Sequence, residues 1–85
     1  MDLEARRAHR RETLLAAGVD LLGAPEGPAV SVRSVCSRAG LTERYFYENF
    51  TDRDTFVREV YALVADRAQQ ALVAAVGRAR RPSER

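Results

Sequence analysis

The chain has no lysine: all 14 of its basic residues are arginine, set against 12 acidic residues, one histidine and one cysteine. Each scarcity excludes something. One cysteine cannot form an internal disulfide, and with a single histidine beside it no structural metal cluster of ordinary ligand count can be assembled. No stretch approaches the roughly 18 consecutive apolar residues of a membrane helix, and the N-terminus lacks the apolar core of a signal peptide, so a cytoplasmic location is expected, away from membranes. His9 lies far from Cys36 in sequence, and there is no glycine-rich phosphate loop. Nucleophile, base and orienting group therefore have nothing to converge on, and neither an enzyme nor a cofactor is expected. Internal repeats are absent too. At 85 residues the chain suits one small domain, which buries only a modest fraction of its surface.

What is present is helical periodicity. Leu14, Leu15, Gly18, Leu21 and Leu22 recur on one stripe of a first helix over residues 3–22. Gly18 inside that stripe costs about 1 kcal/mol against alanine, which close approach by a crossing helix would explain. Gly23, Pro25, Gly27 and Pro28 then form a loop. Val32, Val35, Cys36 and Ala39 fall at i, i+3, i+4 and i+7, so they line one face of a second helix, with Ser31 as its N-cap. Gly40 ends it, because glycine enters the left-handed conformation without steric cost. Thr42 caps a third helix, in which Phe46 and Phe50 share an inward face. Glu43, Arg44, Tyr45, Tyr47 and Asn49 are left for solvent or a partner. Asp52 caps a fourth helix carrying Phe56, Val57, Val60, Tyr61, Val64, Ala68, Ala71, Leu72 and Val76, able to run until Pro82 at a length of roughly 40 Å. Residues 78–85 read as a disordered basic end. The fold expected is all-α: a three-helix bundle containing a homeodomain-like helix-turn-helix, plus the long fourth helix. The helix-turn-helix domain is expected to span residues 1–55, and residues 56–85 to continue the connecting helix into that basic end.

This ordered set resembles the DNA-binding head of the TetR family of transcriptional regulators over most of residues 10–65. The family's apolar helix-one stripe is matched by Leu14, Leu15, Leu21 and Leu22. Its Thr/Ser-Val-x-x-Ile-Ala stretch is matched by Ser31, Val32, Val35 and Cys36, and its Ala-Gly turn by Ala39 and Gly40. Tyr-x-x-Phe falls on Tyr47 and Phe50, and the lysine opening the fourth helix is replaced by Arg53. Cys36 stands where the family has a small alanine, a place a buried free cysteine can take as a small hydrophobe. The resemblance implies a homodimer that binds a palindromic operator in double-stranded DNA, usually as a repressor. It also implies a small-molecule effector bound in a larger C-terminal helical domain that is not among these residues. Exclusive use of arginine with abundant alanine fits a GC-rich bacterial genome.

Charge alone does not carry the DNA reading. Residues 1–53 hold eight arginines and eight acidic residues, so any attraction for phosphate has to come from local placement. Arg6, Arg7, Arg10 and Arg11 cluster at the front, and Arg33, Arg38, Arg44 and Arg53 punctuate the rest. Arg44 is suited to a bidentate contact with guanine or to a phosphate clamp. Tyr45 and Tyr47 can pack their ring edges while the hydroxyls reach phosphate. Glu43 either favours the positive end of its helix or accepts from cytosine N4. Ser31 and Thr42 are caps first and phosphate contacts second. In the resulting scheme Glu43, Arg44 and Tyr45 meet base edges, and Ser31, Arg33, Thr42, Tyr47, Asn49 and Arg53 fix register on phosphates. The alternative is a helical protein-interaction module that uses the long fourth helix.

Overall fold

The computed structural model describes residues 2–80. They form four helices: α1 (Leu3–Leu22), α2 (Val32–Ala39), α3 (Glu43–Asn49) and α4 (Arg53–Arg80). All regular structure among the described residues is helical, in agreement with the all-α expectation.

The helix ends follow from side-chain chemistry. Asp2 opens α1, its Oδ1 accepting from the Ala5 amide at 2.8 Å. At α2, Ser31 and Ser34 form a reciprocal capping box: Ser31 Oγ accepts from the Ser34 amide at 3.0 Å, and Ser34 Oγ accepts from the Ser31 amide at 2.9 Å. Gly40 terminates α2 at φ 73° and ψ 29°, the left-handed conformation expected of it. Thr42 does occupy the N-cap position of α3, but its side chain makes no capping hydrogen bond. Asp52 precedes α4 and its Oδ1 accepts from the Thr55 amide at 2.8 Å. That amide bond holds the Asp52 carboxyl below its ordinary value.

One core joins all four helices: Leu14, Ala17 and Leu21 of α1, Val35 and Cys36 of α2, Phe46 of α3, Phe50, and Phe56 and Val60 of α4. Phe46, Phe50 and Phe56 form its centre, with ring centroids 4.8–5.4 Å apart. Gly18 lies against that centre. A Cβ there would stand 2.8 Å from Phe56 Cζ and 2.8 Å from Val60 Cγ2, so α4 is the crossing helix that requires a glycine. Because Phe56 and Val60 belong to this core, the compact unit extends past residue 55.

The rest of α4 leaves the unit. Every residue from Val64 to Ala79 is exposed, and the principal extents of 57 × 37 × 19 Å record the projection. Arg78 to Arg80 are helical, which corrects the expected disorder from residue 78; the remainder of that segment lies outside the described residues. α4 continues because Ala71, Leu72, Ala74 and Ala75 are good helix formers, and no proline intervenes before Pro82.

Candidate nucleic-acid interface

α3 is pinned along one side and open on the other. Phe46 (0% exposed) and Phe50 (3%) are driven into the core, while Glu43, Arg44 and Tyr47 face outward. Tyr47 packs edge-on against Phe46 at 5.2 Å between centroids and still has 55% of its surface free, so packing and reach coexist in one side chain. Arg44 makes no ion pair among the described residues, and its guanidinium lies 6.0 Å from the Tyr45 ring centroid. Tyr45 is half-buried.

Asn49 and Arg53 each have a partner within the chain. The Asn49 amide is turned back on its own helix, Nδ2 donating to the Tyr45 carbonyl at 3.1 Å, so that donor is already engaged. Arg53 Nε donates to the Val30 carbonyl at 2.9 Å and Nη1 to Asp54 Oδ1 at 3.1 Å. Its charge at the start of α4 therefore has a partner within the chain. This bond also brings Arg53 beside the start of α2, where Ser31 is half-buried in its capping box and Arg33 is exposed. The nine residues thus fall into two groups: Thr42, Glu43, Arg44, Tyr45, Tyr47 and Asn49 on or next to α3, and Ser31, Arg33 and Arg53 around the start of α2.

The front arginine cluster divides. Arg6 and Arg7 are exposed, but Arg10 pairs with Glu48 at 3.0 Å and Arg11 pairs with Glu59. Arg38 pairs with Asp20 at 3.5 Å. Arg10 also lies over the Tyr45 ring at 4.4 Å and Arg11 over Phe50 at 4.8 Å. Glu48 and Glu59 went unnoticed in the sequence because they lie 38 and 48 residues from their partners, beyond any helical spacing rule. Cys36 is buried in the core; burial first, and the nearby Glu43 charge second, push its thiol up from the ordinary value. That environment suits a packing residue and not a nucleophile.

Among the described residues no group of three or more His, Cys, Asp or Glu is placed to hold a metal ion, and no helix is long and apolar enough to cross a membrane. No protein-family model matches the chain, and neither a curated protein nor a solved structure does.

Proposed function

We propose that this chain is a sequence-specific DNA-binding unit of a transcriptional regulator of TetR type, with α3 as the helix that enters the major groove. The observation that supports this is the two-sidedness of α3: Phe46 and Phe50 lock one side, and the other offers the charged Glu43 and Arg44 beside Tyr47, the one large exposed aromatic there. The middle of a protein-docking patch is depleted of charge, whereas base edges and phosphates call for charged donors and acceptors such as Arg44 and Glu43, with a tyrosine hydroxyl beside them. Glu43, Arg44 and Tyr45 read bases in this scheme, and Arg33, Thr42 and Tyr47 meet phosphates directly. Ser31 and Arg53 contribute from the edge of α2, with Arg53 exchanging an internal acceptor for phosphate. In the intact regulator a homodimer would span a palindromic operator and a small-molecule effector would change the spacing of the heads, both by likeness to that family.

A protein-interaction module built on α4 is the second reading, and the exposure of Leu72 (63%) and Val73 (62%) favours it. Selection of bound duplexes from a randomised DNA pool separates the two. Enrichment of one short motif by the wild-type chain, relaxed at one base pair by Arg44→Ala, supports the DNA reading. A pool left unenriched at low salt refutes it.

A further inference from the structure

Two consecutive arginines leave α1 in different directions. Arg11 reaches α4, pairing with Glu59 and covering Phe50 at 4.8 Å. Arg10 reaches α3: its Nη2 donates to Glu48 Oε1 at 3.0 Å and its guanidinium lies 4.4 Å from the centroid of the Tyr45 ring. The Arg10 and Glu48 side chains are 17% and 24% exposed, so the pair is partly covered while Glu48 itself stands at the surface.

α3 needs such a contact. At seven residues it is too short to hold itself, and its core anchors Phe46 and Phe50, four residues apart, lie along one edge about which the helix can roll. Tyr45 and Glu48 are three apart and share a different side of the helix. A planar guanidinium can stack on a ring and donate in its plane to a carboxylate at the same time, which an ammonium cannot. Arg10 Nε is buried without a hydrogen-bond partner, so the ring and the carboxylate govern the group's orientation and not the satisfaction of its own donors.

We propose that Arg10 is a positioning residue for base recognition: by clamping Tyr45 and Glu48 it sets the roll of α3, and so the direction in which Tyr45 and the neighbouring Arg44 are presented. The proposal rests on the reading of α3 as the base-reading helix. Arg10 itself does not touch DNA in this scheme.

The test uses Arg10→Lys, which keeps the charge and loses the plane, and Arg10→Gln, which loses both. Both should lower the preference for the selected sequence over an unrelated duplex by about tenfold, the scale of one misplaced base contact. Binding to the unrelated duplex and its salt slope should stay as in wild type. Glu48→Gln should narrow the same preference. A phosphate contact would behave otherwise: Arg10→Lys would retain specific affinity, while Arg10→Gln would weaken all DNA alike and reduce the salt slope by about one. That pattern overturns the proposal. Hydrogen exchange of the free protein supplies a readout independent of DNA. Faster exchange confined to α3 amides in Arg10→Gln, with α1 and the first turns of α4 unchanged, supports the clamp even if no sequence is enriched, in which case the functional reading alone fails. Unaltered α3 exchange overturns it.

Discussion

Single side chains divide into those whose work is internal and those left free for a partner. Arg44 is the clearest of the second kind, and Arg44→Ala should cost about 1–3 kcal/mol on the preferred sequence and relax the preference at one base pair. Tyr47→Phe, which removes only a hydroxyl from an exposed ring, should weaken binding on all sequences alike. Titration against a set of single-base variants measures both, and equal affinity of wild type and Arg44→Ala for the preferred sequence removes Arg44 from base reading. Gly18 belongs to the first kind. An alanine there gains about 1 kcal/mol of helix propensity but inserts a methyl 2.8 Å from Phe56 and Val60, which are 0% and 1% exposed and have no room to swing aside. Overpacking of this sort costs about 1–3 kcal/mol, so Gly18→Ala should be a net loss in urea unfolding despite the better helix former.

At the scale of elements, the two caps that look alike in sequence behave differently. Ser31 bonds an amide of α2 and Thr42 bonds none of α3, so Ser31→Ala should lower stability by about 1 kcal/mol while Thr42→Ala leaves the melting curve nearly in place. A drop for Thr42→Ala as large as that for Ser31→Ala would contradict this. Asp52 adds a pH dependence. Its carboxyl is held below the unfolded value, so its stabilisation of α4 is complete at neutral pH and is lost as pH falls through the folded value; Asp52→Asn should flatten the acid limb of the stability profile. The starts of the four helices, the left-handed Gly40, the capping roles of Ser31 and Asp52 and the inward Phe46 and Phe50 were legible in the sequence, because each depends on neighbours within a few residues. The occupation of Arg10, Arg11 and Arg53 was not. An arginine's partner across the fold leaves no mark in local spacing, and the same residue types serve a phosphate or an internal carboxylate equally well. Ala17 in the core was missed for a related reason: a methyl side chain adds little to an apolar stripe, and only the approach of neighbouring helices buries it.

The whole molecule is more extended than its length requires. Its radius of gyration is 16.6 Å, where a compact domain of this size would have about 12 Å, and the projecting part of α4 accounts for the excess. The large apolar residues exposed along α4 are Tyr61, Val64, Leu72, Val73 and Val76, far short of the roughly 800 Å² per partner of a stable interface. The 85-residue chain should therefore sediment as a monomer at micromolar concentration; a dimer in sedimentation equilibrium would show that α4 alone suffices for assembly. The same helix has a mechanical consequence. It is seized at its base, where Phe56 and Val60 are locked against α1 and Phe56 belongs to the aromatic centre, and it is bare beyond. From Val60 to Arg80 it forms an arm of about 30 Å, so pushing its tip sideways by about 3 Å would swing the head through about 6°. Whatever grips the far end of α4 thus holds a lever, and the notch at Gly18 is where its torque enters the head.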